Sequence, residues 1–133
     1  MKAFEYAAPR TEDEVFSLLT DRFEDNELLS GGTDLIGLMK AMILSPARVV
    51  NIKAVDSLRG IQADSTRVVI GAATTLDDVL EHPAMQAFPA IGQAISGIAS
   101  MQLQAQGSLG GELCQRPRCW YFRNGFGRMA EGG

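Results

Sequence analysis

Along the first third of the chain, apolar positions switch repeatedly between strand and helix spacing. Residues 2–6 alternate weakly and predict a short edge strand ahead of Pro9. Thr11-Glu12-Asp13-Glu14 reads as a capping box, with Thr11 as N-cap and Glu14 at the third helical position. Val15, Leu18, Leu19 and Phe23 follow at helical spacing, which predicts an amphipathic helix over residues 12–22. Asp25-Asn26 marks a turn and Glu27–Ser30 a short strand. Leu35, Leu38, Met39 and Met42 predict the next helix, closed by Pro46. Val49-Val50-Asn51-Ile52 is a β-branched run expected to form a buried strand. Strand, helix, strand, helix, strand predicts a small sheet with helices packed on it.

The pattern changes after residue 55. Leu58–Gln62 and Arg67–Gly71 predict two strands joined by the polar hairpin-type connection Ala63-Asp64-Ser65-Thr66. Thr75 with Asp77-Asp78 marks a helix start whose buried side carries Leu76, Val79 and Leu80. Beyond Pro83 and Pro89, Ile91, Ala94, Ile95 and Ile98 form a helical stripe, and the small residues around it, Ala99 included, permit close packing. Leu113–Arg123 follows neither period, although it holds three aromatics and three arginines. Asn124–Gly127 reads as a turn, and Glu131-Gly132-Gly133 as an end without a closing element.

Two glycine clusters interrupt these elements. Gly31 and Gly32 lie between the second strand and the second helix, where backbone without side chains permits close approach. Thr33 follows as an N-cap candidate. Such a turn is either an anion site, most often for phosphate, or a plain strand-to-helix connection. Gly107-Ser108-Leu109-Gly110-Gly111 repeats the theme far downstream.

Composition narrows the functions. A hydrophobic fraction of 46% over 133 residues suffices for one domain core. Twelve basic against sixteen acidic residues give a charge of −4, which argues against nucleic acid as the main partner. No run approaches the roughly 20 apolar residues of a membrane span, and Met1–Tyr6 does not read as a secretory signal. A cytoplasmic location is expected. Two cysteines and one histidine are too few for a closed four-ligand metal site from this chain alone, so no metal is expected. His82, before Pro83, reads as a surface residue or a cap.

Three motifs in order carry a family resemblance: Ser30-Gly31-Gly32-Thr33-Asp34-Leu35, then Ile70-Gly71-Ala72-Ala73-Thr74-Thr75-Leu76, then Gly107-Ser108-Leu109-Gly110-Gly111. Together they resemble the FAD-binding subunit of the molybdenum hydroxylases, the family of xanthine dehydrogenase, carbon monoxide dehydrogenase and the aldehyde oxidoreductases. The tail Gln115-Arg116-Pro117-Arg118-Cys119-Trp120-Tyr121-Phe122-Arg123 is similar to its bacterial branch.

The resemblance implies an α+β, two-subdomain FAD-binding fold of the PCMH/VAO type. Residues 1–55 would form the small αβ subdomain, and residues 56–133 the start of a larger sheet-plus-helix subdomain, expected to be truncated here. Leu29, Ser30, Gly31, Gly32, Thr33, Asp34 and Leu35 would line the FAD pyrophosphate, and Gly107, Ser108, Gly110 and Gly111 would approach from the flavin side. By the same resemblance, electrons would pass from molybdopterin-binding and 2Fe-2S partner subunits through FAD to an acceptor. No side chain is assigned a catalytic role, and the isolated chain is not expected to be active alone.

The chain also departs from the family. The second loop has Gln104 and Ala105 where an Arg-Asn pair is usual, and Glu112 where Asn is usual. Glu112 would place a carboxylate near the cofactor and is expected to weaken its binding. An unfinished sheet would leave an edge open to self-association. Cys114 and Cys119 read as buried or free thiols. Arg116, Arg118 and Arg123 with Trp120, Tyr121 and Phe122 stand under two readings: contact with the flavin's phosphates, its adenine or a partner subunit, or an arginine–aromatic packing corner. The competing reading of the whole is a truncated, non-enzymatic remnant acting as a binding or assembly module.

Overall fold

A computed structural model describes residues 1–22, 25–98 and 100–126. The fold is α+β. β1 (Glu5–Ala7), β2 (Asn26–Leu29) and β3 (Arg48–Asn51) form a parallel sheet in the order β1-β3-β2. β4 (Ile61–Ala63) and β5 (Val68–Ile70) form an antiparallel hairpin.

The β-branched run predicted as a buried strand occupies the centre of the parallel sheet. Adjacent strand residues point to opposite faces, so Val49 and Val50 bury on different sides. Val50 packs with Val15, Ile52 and Val55, beneath α1 (Glu12–Leu18). Val49 packs with Leu38, Met39 and Leu44, beneath α2 (Leu35–Lys40). Covering both faces is what a parallel sheet of this kind requires.

The helix starts follow the predicted chemistry more closely than the ends do. Thr11 Oγ1 accepts from the Glu14 N–H, while the Glu14 carboxylate accepts from the N–H of Arg10, one residue before the cap. The helix expected over residues 12–22 stops at Leu18. Its Leu18 carbonyl accepts from Arg48 Nη1 at 2.8 Å, and Leu19 turns extended. Phe23 lies outside the described residues. α2 also ends early, at Lys40. Met42 takes a left-handed φ of 62°, and Ile43 N–H donates to the Leu38 carbonyl while Met42 N–H donates to Met39. This is a Schellman closure with methionine at the position that favours glycine.

The second half differs at β4. The predicted strand 58–62 begins instead at Ile61, because Leu58 belongs to a 3₁₀ turn (Asp56–Leu58) and Gly60 reverses the chain at φ 88°. The hairpin loop is held by Asp64, whose carboxylate accepts from Thr66 Oγ1 and from the N–H groups of Thr66 and Arg67. The Thr66 hydroxyl first, then these N–H groups, hold the Asp64 carboxyl below its ordinary range.

Thr75 caps α3 (Leu76–Glu81) as expected. His82 caps the following 3₁₀ turn (Pro83–Ala87), its Nδ1 accepting from Ala84 N–H. Ile91, Ala94 and Ile95 of the isoleucine stripe lie on α4 (Pro89–Ser96) and Ile98 just beyond it, and Ile95 joins Leu76, Val79 and Met85 in a third buried cluster. Ala99 lies outside the described residues. α5 (Met101–Gln106), α6 (Leu109–Leu113) and α7 (Trp120–Arg123) complete the described fold. Of the closing turn, Asn124, Gly125 and Phe126 are described. Gly127 and Glu131–Gly133 lie outside the described residues.

Candidate functional site

The two glycine clusters, 75 residues apart in the motif order, meet in space. Gly31 follows β2 and packs directly on the backbone of Gln106 and Gly107. A Cβ at Gly31 would overlap the Gln106 carbonyl oxygen and lie 2.9 Å from Gly107 Cα. Gly32 takes φ 74°, the left-handed region that favours glycine, and a Cβ there would crowd the Leu29 and Ile36 side chains.

The middle motif fixes the second loop. Leu76 N–H donates to the Gly107 carbonyl, and Leu109 N–H donates to Thr74, across an antiparallel bridge between Thr75 and Ser108. Gly110 N–H donates to the Ala72 carbonyl at 2.9 Å, an approach so close that a Cβ at Gly110 would lie 2.8 Å from Ala72. Ser108, buried, caps α6 by accepting from Gly111 N–H at 3.2 Å.

Donor accounting separates the loops. The N–H groups of Leu109, Gly110, Gly111 and Glu112 all have acceptors inside the protein. Among the described residues, none takes the N–H groups of Gly31, Gly32, Thr33 or Asp34. Beside them, the Ser30 hydroxyl is buried without a partner among the described residues. The buried Ser30 hydroxyl calls for a partner, and beside it main-chain N–H groups that no described residue takes are suited to an incoming polar or anionic group.

These surfaces enclose a cavity of about 590 Å³, within the range of small-molecule sites. Ser30, Gly31, Gly32, Thr33, Asp34, Leu35, Ser108, Gly110 and Gly111 line it. Leu29 and Gly107 lie behind that lining: Leu29 packs on the Val49 cluster and Gly107 against Leu76 and Leu103. Glu112 also lines the cavity, and its carboxylate accepts from Gln115 Nε2 at 3.1 Å. Gln104, at a family departure, donates instead to the Ile95 and Ile98 carbonyls at the end of α4.

One local expectation is corrected. Thr33 is not the helix cap; Asp34 occupies that position and makes no side-chain capping bond. Its carboxylate is engaged from the tail, where Oδ2 accepts from Arg116 N–H at 3.1 Å and Oδ1 from Arg123 Nη2 at 2.7 Å. Arg116 Nη2 pairs with Glu27 Oε1 at 2.6 Å. In the tail, Arg116 and Arg123 reach the carboxylates of Glu27 and Asp34. Trp120 and Tyr121 are exposed, Phe122 packs on the Val49 cluster, and Arg118 binds Gln115. Sequence reading missed the role of Glu27 and the pairing of the tail arginines. The signal was present only as three arginines in a segment without period.

Cys114 and Cys119 are exposed free thiols, and Cys119 Sγ caps α7 by accepting from Phe122 N–H. Among the described residues, no group of three or more His, Cys, Asp or Glu is placed to hold a metal, and no helix is long and apolar enough to cross a membrane.

The sequence profile of the family described as "FAD binding domain in molybdopterin dehydrogenase" matches residues 2–118. The carbon monoxide dehydrogenase medium chain of Hydrogenophaga pseudoflava is 36% identical over 111 residues, covering 83% of this chain and 39% of the relative. An aldehyde oxidoreductase FAD-binding subunit of Escherichia coli is 31% identical over 123 residues, covering 92% of this chain and 38% of the relative. The solved structure of the Hydrogenophaga pseudoflava carbon monoxide dehydrogenase lacking its Mo-pyranopterin moiety superposes with a TM-score of 0.79 at 35% identity, over 84% of this chain and 39% of that one. The chain thus spans about two fifths of the length of these relatives.

Proposed function

This chain belongs to the family of FAD-binding domains of molybdopterin dehydrogenases, and on that premise we propose that it is part of an electron-transferring flavoprotein subunit. In that role it passes electrons from partner molybdopterin-binding and 2Fe-2S subunits through FAD to an acceptor. The relatives' roles as a carbon monoxide dehydrogenase medium chain and an aldehyde oxidoreductase FAD-binding subunit support this reading. A cytoplasmic setting goes with it.

The observation that carries the proposal is the free donor set at Ser30–Asp34, facing a cavity whose other wall is the Ser108–Gly111 loop. The residues fit the cofactor. Main-chain N–H groups and a hydroxyl bind a diphosphate without ordering a long side chain. Ser30 and the backbone of Gly31, Gly32, Thr33 and Asp34 would hold the pyrophosphate, with Leu35 beside it. Ser108, Gly110 and Gly111 would approach from the flavin side, and Leu29 and Gly107 support the two loops from behind. The bound flavin would supply the redox chemistry, while this chain binds and orients it.

The same reading assigns residues 1–55 and 56–133 to two subdomains of a PCMH/VAO-type fold. Among the described residues β4 and β5 pair only with each other, and under this reading their outer edges can take a further strand or a second copy of the chain.

The test is competition. FAD fluorescence will be quenched on binding, ADP will displace FAD, and lumiflavin, which lacks the diphosphate, will compete far more weakly. Equal competition by lumiflavin and FAD would contradict a diphosphate held at Ser30–Asp34.

Glu112→Asn should tighten FAD binding about three- to tenfold, the scale of one partly screened charge removed from the cavity wall. An unchanged dissociation constant would contradict the repulsion.

A further inference from the structure

Two carboxylates stand at the wall of the cavity that the preceding reading assigns to FAD. Asp34 directly follows the turn with the free N–H groups, and Glu27 sits on the strand leading into it. Their side chains are only 18% and 13% exposed. Left alone, two largely buried negative charges would oppose a diphosphate that the neighbouring backbone attracts.

Both are covered by groups 82 to 89 residues further along the chain. Arg123 Nη2 lies 2.7 Å from Asp34 Oδ1, Arg116 N–H donates to Asp34 Oδ2, and Arg116 Nη2 lies 2.6 Å from Glu27 Oε1. The pairs reinforce each other, because Arg123 Nη2 also donates to the Arg116 carbonyl and its Nε to Pro117. The result is one connected clamp from the tail onto the first glycine turn.

From this arrangement we infer that Arg123, with Arg116, is a positioning residue for the diphosphate. It acts through Asp34, cancelling a charge that would repel the ligand beside the turn whose N–H groups receive it. The inference rests on the FAD reading above. It differs from a purely structural ion pair in one respect: the harm done by losing Arg123 comes from the exposed charge of Asp34, so removing that charge must repair it.

The experiment compares the whole chain with Arg123→Gln, Arg123→Lys and the double variant Asp34→Asn/Arg123→Gln. Affinities for FAD and lumiflavin are measured by fluorescence, and thermal melts of the unliganded proteins are recorded. Arg123→Gln should weaken FAD about tenfold and leave lumiflavin unchanged. Arg123→Lys should retain most of the FAD affinity. The double variant should recover FAD binding to within about threefold of the parent, even where its melting temperature stays low.

A double variant as weak as Arg123→Gln, an equal loss of FAD and lumiflavin affinity, or no loss at all would overturn the inference while leaving the FAD reading intact. A parent chain that binds no FAD would overturn the FAD reading itself, and this inference with it.

Discussion

Gly31→Ala should abolish FAD retention and destabilise the fold by about 1–3 kcal/mol, the usual cost of overpacking. The new methyl group would overlap the Gln106 carbonyl, a backbone atom that cannot rotate away as a side chain would. The two loops must separate, and the cavity they share opens. Gly37→Ala is the matched control. A Cβ there meets nothing within 4 Å, and alanine in a helix gains about 1 kcal/mol over glycine. Urea unfolding with FAD binding checks both. A Gly31→Ala protein with parental stability and flavin affinity would show that the loops do not touch as described.

Leu38→Ala should act differently, through the core. Leu38 is 1% exposed, packs with Met39, Leu44 and Val49 beneath the sheet, and also reaches the cavity wall. Truncating a buried leucine costs about 2–5 kcal/mol, a large part of the roughly 5–15 kcal/mol that holds a domain together. The urea midpoint should fall with an unchanged slope. FAD binding should persist in the cold, where the molecule remains folded, because the turn at Gly31–Asp34 keeps its backbone. A loss below about 1 kcal/mol would place Leu38 outside the core.

What the sequence made legible was whatever local pattern dictates. Val49-Val50 is β-branched and unbroken, and it forms the central strand. Thr11 and Thr75 cap helices because their hydroxyls reach N–H groups three residues on. The paired glycine loops were visible as residues, and their contact follows from the absence of side chains at Gly31 and Gly110.

The rest depends on contacts that local pattern does not contain. α7 is a single turn, too short for a hydrophobic period to register. α6 has five residues, and its Ser108 cap looked like part of a loop. α1 ends where Arg48 takes the Leu18 carbonyl, 30 residues away. Asp34 read only as part of the first glycine motif, yet its partners lie 82 and 89 residues downstream. Carboxylates and arginines so far apart have no sequence spacing to reveal their pairing.

The central claim is that two glycine loops of this chain together form a cofactor cavity. The visible absorption spectrum of the purified chain, reloaded with excess FAD and then desalted, tests it most directly. The account predicts retained flavin, seen as the cofactor's visible absorbance, and loss of that absorbance in Gly31→Ala. A folded parent chain that emerges colourless would contradict it.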